Sequence, residues 1–446
     1  MTVTTPAQNT ESGYILLAPK NTGGQSGPMI VDNTGGVVWF DPHRPGEVTD
    51  LRVQQYRGAP VLTWWEGTSK TGHGQGSYVL MDTSYQEVAR VRAGNGQQGD
   101  LHEFRLTPAG TALITAYQVE PRDLSALGGP KDGRVIDGVA QEIDVATGRV
   151  LFEWHSLDHV PLSESQESLG TSGIPDKPYD YFHINSVAPG PDGTLLVSSR
   201  HTHAVYDVSR QDGSVRWRLG GKNSDFDMGP GTRFRWQHDA QAQPDGTVTV
   251  FDNGSDGSDP HAEPVSRALR LRLDTASMRA TLVRAYPAPQ GRLAASQGNV
   301  QVLPDGHVFV GWGQAGAVTE FAGNGRVVFD ATLGGGRDTD SYRAYRMDWT
   351  GHPTDLPVAS VTAPVDGTTA VWVSWNGATE VAGWQLLTGP APDRLTPSGV
   401  VVRSGFETRI PVEGAPSYAS VRALDRSGAV LASTTTVNLN SVRRSR

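Results

Sequence analysis

The stretch Tyr179-Asp180-Tyr181-Phe182-His183-Ile184-Asn185-Ser186-Val187 runs into Pro191-Asp192-Gly193 and then Leu195-Leu196-Val197-Ser198-Ser199-Arg200. An extended segment, a turn at Asp-Gly and a second strand ending on a charged residue read as a β-hairpin. The same phrase recurs. Aligned on the turn glycine, Arg57-Gly58, Ala109-Gly110, Asp192-Gly193, Asp245-Gly246 and Asp305-Gly306 are each followed by a short apolar strand.

A second phrase alternates with the first, a glycine turn with an aromatic four residues on: Gly36 to Phe40, Gly148 to Phe152, Gly213 to Trp217 and Gly325 to Phe329. One inner and one outer hairpin per unit, at a spacing of about 40 to 60 residues, is the sequence form of a β-propeller with four-stranded blades. Five inner hairpins are legible, and a sixth blade is expected to combine Ser341–Arg346 with the strands Tyr14–Leu17, Met29–Val31 and Val37–Phe40, closing the ring and removing the sheet edge. Six blades are expected over residues 1–350, seven being the alternative. Beyond Trp349 the texture changes, with Pro353, Pro357 and Pro364 ahead of Val371-Trp372-Val373-Ser374-Trp375. Alternating strands of that length predict a small β-sandwich of fibronectin III or immunoglobulin type over residues 351–446.

Composition agrees with an all-β chain: 446 residues carry 53 glycines and 29 prolines, spread along the sequence, and no long helical periodicity. A net charge of −9 offers no basic stripe for nucleic acid, and the short tail Arg443-Arg444-Ser445-Arg446 reads as a solvated terminus. The absence of cysteine removes disulfides, thiolate chemistry and cysteine-type zinc sites. No apolar run approaches the roughly 20 residues of a membrane span. Met1 to Ser12 lack the basic start and apolar core of a signal peptide. The chain as written therefore reads as cytoplasmic, or as exported if a leader has been removed.

The same alignment groups the histidines. Eight residues before the turn glycine stand His102, in Asp-Leu-His-Glu-Phe, and His238, in Trp-Gln-His-Asp-Ala; the third unit has Asn185 there, with His183 two residues earlier on the same strand face. Three consecutive blades are thus expected to aim three imidazoles into one channel. Seven residues after the glycine stand Trp65, Tyr117, Arg200, Asn253 and Gly313. Antiparallel pairing should bring Arg200 beside His183 and Asn185, with Trp65, Tyr117 and Trp312 walling the mouth. The remaining histidines, His43, His73, His155, His159, His261, His307 and His352, read as structural.

Such a set suits transfer of a tetrahedral anionic group from a planar aromatic. A neutral imidazole is a nucleophile near pH 7, arginine stabilises charge on non-bridging oxygens, and a second imidazole moves the phenol proton. The alternative for Arg200 is an ion pair with Asp239 or Glu103. Two other readings stand beside this one. Three histidines on an axis could ligate zinc or iron, although the Arg200 cation opposes a dication; or the chain could be a non-catalytic binding propeller.

The phrases around His102, His183, Arg200 and His238, with Arg216-Trp217-Arg218-Leu219-Gly220-Gly221, resemble those of the arylsulfate sulfotransferase family in its actinobacterial branch, over about residues 14 to 350. The resemblance implies a six-bladed propeller and a ping-pong reaction. A sulfuryl group passes from a phenolic sulfate ester to a histidine and then to an acceptor phenol, without 3′-phosphoadenylyl sulfate and without a metal. By motif, His238 resembles the sulfated nucleophile, His183, Asn185 and Arg200 the sulfuryl-binding set, and His102 the acid/base. The implied partners are a small aryl sulfate donor and a phenolic acceptor, and a homo-oligomer is compatible with the pattern. His201 and His203 read as rim polarity or as acceptor contacts.

Overall fold

The computed structural model describes residues 1–42, 46–258, 263–334, 339–365 and 368–441, so His43, His261 and the tail Arg443–Arg446 lie outside the described residues. The described chain is built of strands, with only single-turn helical segments between them.

Among the described residues, six four-stranded antiparallel sets account for the strands from Tyr14 to Met347 apart from Asp227–Met228, which pairs in parallel with Arg279–Pro287. The first is Glu47–Tyr56, Ala59–Lys70, His73–Met81 and Glu87–Val91; the second is Gly99–Leu106, Thr111–Arg122, Gly133–Asp144 and Val150–His155. A single bridge, Gly76 to Gly99, joins the third strand of the first set to the first strand of the second. The third set is Ile184–Pro189, Leu195–Ser199, Ala204–Val208 and Val215–Gly220, and the fourth is His238–Ala242, Thr247–Asp252, Arg267–Asp274 and Arg279–Pro287. The fifth, Asn299–Val302, Val308–Gly311, Ala317–Phe321 and Val327–Thr332, takes Thr2–Thr5 on its outer edge. The sixth combines Ala344–Met347 with Tyr14–Leu17, Met29–Val31 and Val37–Phe40, so that the two ends of the repeat share one sheet.

Period-two alternation packs each set against both neighbours. In the third set Leu195, Val197, Tyr206 and Val208 face the second, while Leu196 and Val205 face the fourth. Equivalent apolar cores join the fourth to the fifth, the fifth to the sixth, the sixth to the first and the first to the second. Each large side chain buried in these seams contributes about 1.5–3 kcal/mol.

All five inner turns expected from the sequence join the first two strands of a set. Two outer hairpins, in the first and fourth sets, carry no glycine at the turn and are invisible to the phrase used above. Tyr85 (φ 60°) and Met278 (φ 48°) take the left-handed position that glycine fills elsewhere.

Beyond Pro357, Val358–Val365, Thr368–Ser374 and Glu407–Pro411 form one sheet. Arg394–Val402, Gly383–Ala391, Tyr418–Leu424 and Val430–Ser433 form another, with Val437–Asn438 also paired to Tyr418–Leu424. Val371, Val373, Trp384, Leu386, Ile410 and Val421 fill the space between them, in a core that draws on no residue before Ala359. The seam to the sixth set is polar. The Asn376 side chain bonds both the N–H (3.0 Å) and the C=O (2.9 Å) of Phe40, and the Gly377 N–H donates to the Val38 carbonyl at 2.9 Å.

Candidate active site

The innermost strands do not enter the site as regular strands. Pairing slips between Ile184 and Ser186, between His238 and Gln241, and between Ile114 and Ala116. Such bulges re-aim side chains at the strand mouth. His183 lies one residue ahead of its strand at φ 53°, and Asp239, just after His238, sits at φ 52°. His183 and Asn185 are therefore not brought together by strand alternation, as the sequence had implied. Asn185 lies inside the strand, fully buried, and is not among the residues that line the cavity.

A cavity of about 370 Å³ is lined by His102, His183, Arg200, His201, His238 and Tyr342, with Asp180, Lys20 and Gln297 among its further walls. His102 and His183 meet edge to face, ring centroids 5.1 Å apart, and His238 approaches the same space past Tyr342, at 6.3 Å. The three expected histidines and Arg200 thus converge on one cavity.

Each imidazole is fixed by its Nδ1. The His238 Nδ1 faces two acceptors, Asn253 Oδ1 at 2.7 Å and the Trp236 carbonyl at 3.1 Å, so it carries the proton. Asn253 is oriented unambiguously, because its Nδ2 donates to the carbonyls of Ala294 (2.7 Å) and Gln297 (3.0 Å). The Nε2 lone pair accepts from the Gln297 N–H at 3.2 Å, at the wall of the cavity that His238 lines. Burial, reinforced by the Arg200 charge, holds the His238 pKa well below its usual value, so the ring is neutral at pH 7.

His102 bonds Asp100 Oδ2 through Nδ1, and Asp100 is tied in turn to the Gly74 N–H. His183 Nδ1 bonds Asp180 Oδ2 at 2.6 Å. Burial opposes ionisation of Asp180, yet His183, His201 and His73 around it hold its pKa well below the carboxylate range. Burial keeps His183 neutral.

Arg200 pairs with no carboxylate among the described residues. Its Nη1 lies 2.9 Å from His201 Nε2, its Nη2 donates to the Ala295 carbonyl at 3.2 Å, and the guanidinium lies 4.8 Å from the Trp236 ring centroid. Asp239 and Glu103, weighed above as its partners, are engaged elsewhere. Glu103 pairs with Arg52 and Arg343, and Asp239 accepts from the Val300 N–H and faces Arg343. Asp50, Arg52, Glu103, Asp239, Arg343 and Tyr345 form one buried network.

Several expected site residues hold other places. Trp65 and Trp312 are fully buried and do not wall the cavity. Trp65 donates to the Gly99 carbonyl at 3.0 Å within the core between the first and second sets, and Trp312 donates to Thr319 Oγ1 at 2.8 Å within the core between the fourth and fifth. Both point sideways into a neighbouring set, because the second strand alternates between two packed faces. Tyr117 donates to the Ile184 carbonyl and buttresses the histidines, 4.4 Å from the His73 ring and 5.8 Å from those of His102 and His183. Asn185 donates to the Gln237 carbonyl at 2.6 Å, and Asn253 acts on His238 as described. Of the histidines read as structural, His73 stands 3.1 Å from Asp180 Oδ2, inside the site. His203 packs on Trp236, its pKa lowered to about 3 by burial and neighbouring cations. Tyr342, Lys20, Asp100 and Asp180 were not singled out from the sequence. The two aspartates had a signal, standing two and three residues before His102 and His183, whereas Lys20 and Tyr342 had none.

His102, His183 and His238 do not form a ligand cluster; the tight groups of potential metal ligands among the described residues are His73, Asp180, His183 and Asp305, His307, Glu320. No helix among the described residues is long and apolar enough to cross a membrane.

Among solved structures, the chain is similar to a protein of unknown function from Bacteroides caccae, at 14% identity over 75% of this chain and 100% of that one, with a TM-score of 0.46. It is also similar to a catalytically inactive virginiamycin B lyase from Staphylococcus aureus with quinupristin, at 9% identity over 84% of this chain and 96% of that one, with a TM-score of 0.37. These scores are too low to carry an argument. No curated protein matches. The profile of the arylsulfotransferase (ASST) family matches residues 52–334, which contain His102, His183, Arg200 and His238, and the chain belongs to that family.

Proposed function

We propose that the protein is a nucleotide-independent aryl sulfotransferase working through a sulfohistidine at His238. The His238 Nε2 lone pair attacks the sulfur of a phenolic sulfate. The S–O bond to the ring breaks, its electron pair leaves on the phenolate oxygen, and His102, protonated on Nε2, supplies the proton. In the second half an acceptor phenol returns a proton to His102 as its oxygen attacks the sulfur, and neutral His238 is released. Asn253 Oδ1 and the Trp236 carbonyl accept from the Nδ1–H throughout, stabilising the positive ring of the sulfohistidine. Arg200 binds the non-bridging oxygens, joined by His183 when its Nε2 carries a proton. The scheme draws on no nucleotide and no metal.

The observation that carries this reading is the His238 environment, a neutral ring with its proton held on Nδ1, lining one cavity with an Arg200 guanidinium that pairs with no carboxylate among the described residues. The architecture that supports it is read as a six-bladed propeller over residues 1–350, with a fibronectin III-like sandwich over 351–446. The closed succession of apolar seams and the separate core after residue 359 support that division. The test is to mix the protein with 4-nitrophenyl sulfate and a phenol, follow nitrophenolate, and trap the intermediate. The expected result is a labile sulfated peptide containing His238; full activity in His238→Ala would refute the mechanism.

A further inference from the structure

We propose that His73, Asp180 and His183 form a binding site for a divalent transition-metal ion of the zinc class.

The site exists because one hairpin overreaches. Ala59–Lys70 and His73–Met81 stay paired to Lys70 and His73, turning through Thr71 and Gly72 at φ 51° and 83°. This tip stands against the cavity, so close that a Cβ on Gly72 would lie 3.5 Å from His183 Cε1. His73 Nε2, Asp180 Oδ2 and His183 Nδ1 all lie within 4.8 Å of one another, with Oδ2 2.6 Å from His183 Nδ1 and 3.1 Å from His73 Nε2. A second, independent observation is the other carboxylate oxygen. Asp180 Oδ1 is buried without a hydrogen-bond partner. The three side chains are 19%, 16% and 11% exposed, His73 first, so an ion arriving through the cavity reaches them.

Two imidazole nitrogens and a carboxylate, with a position left for water, are a zinc donor set. Neutral histidines bind a metal through a lone pair, so each ring shifts its proton from the Asp180 side to its other nitrogen, and no proton is lost overall. His183 then presents an Nε2–H to the cavity where it had presented a lone pair, and the Asp180 charge is spent on the metal. Arg200 does not oppose this directly. The His201 ring stands between it and Asp180, bonded to the Asp180 carbonyl at 2.6 Å on one side and facing Arg200 Nη1 at 2.9 Å on the other.

The experiment is calorimetric titration of metal-stripped, tag-free protein with zinc chloride, with metal analysis after gel filtration. One zinc per chain is expected, weakened by at least about tenfold in His73→Gln, the scale on which even an outer-shell partner acts. Cobalt(II) added to the unaltered protein needs no variant to fold, and tetrahedral d–d absorption saturating at one equivalent is expected. His307→Gln reports the other cluster, where Glu320 is already paired with Arg346 at 2.6 Å, and should leave binding unchanged. Absence of stoichiometric binding, binding untouched by His73→Gln, or binding lost in His307→Gln would each overturn the site. A protein that binds zinc but turns over no aryl sulfate would sink the proposed function and leave the site standing.

Discussion

His238 and Asn253 stand 2.7 Å apart, Nδ1 to Oδ1, and the two carbonyls that take the Asn253 amide protons leave its oxygen no other orientation. The contact decides which nitrogen of His238 carries the proton and which carries the lone pair. A residue expected from the sequence to touch substrate thus stands one step back, on the tautomer of His238.

Asn253→Leu should leave the fold intact and lower kcat by roughly 10²- to 10⁴-fold, because a misplaced tautomer removes the attacking lone pair. KM for the aryl sulfate should change little. Steady-state kinetics separates the two, and a variant altered only in KM would show that Asn253 touches substrate after all.

Tyr342 presents a buried hydroxyl with no hydrogen-bond partner between His102 and His238. An unsatisfied buried hydroxyl costs about 1–3 kcal/mol. Tyr342→Phe should therefore stabilise the protein by about 1 kcal/mol in urea unfolding while lowering kcat/KM, the two readouts moving in opposite senses. Lower stability together with unchanged activity would mean that the hydroxyl serves only packing.

Burial holds His183, His201, His203 and His238 below the unfolded histidine pKa of about 6.5. As pH falls through that value the unfolded chain takes up protons that the folded chain refuses, so stability declines from about pH 6.5 downward. His155, raised to about 9 by Asp137 against the opposing effect of burial, has the other sign: its contribution is complete below 6.5 and is lost only as pH rises toward 9. Thermal melts should show a midpoint falling between about pH 6.5 and 5. Activity limited by the free base of His238 should persist further into acid than an ordinary histidine allows.

Glu103 is fully buried and answers two guanidiniums, Arg52 and Arg343. Those opposing charges hold its carboxyl at about 2, although burial alone would raise it. Glu103→Gln leaves both cations short of a counter-charge and should cost about 3–5 kcal/mol. Denaturant unfolding measures this directly, and a change under 1 kcal/mol would mean that Asp50 and Asp239 suffice.

Much of the fold was legible, because a repeated turn with fixed offsets names the same position in every set. Gly58, Gly110, Gly193, Gly246 and Gly306 each close an inner hairpin. The hairpins turning at Tyr85 and Met278 escaped because their left-handed residues are not glycine. In the site, His102, His238 and Arg200 followed from the same offsets. Trp65 and Trp312 were misplaced by them, since an offset gives depth along a strand without saying which of two packed faces a large ring will fill.

The sequence by itself determined the all-β class, the repeat and the histidines that share a position in it, because these depend on local turn chemistry and alternation, which are written in consecutive residues. Only the tertiary structure decided how those histidines are held. Asp180 collects His183, His201 and, from a hairpin more than a hundred residues earlier, His73; Lys20 and Tyr342 come to one cavity from opposite ends of the repeat. Contacts of that kind arise when the sixth sheet closes on strands from both termini, and no local pattern records them.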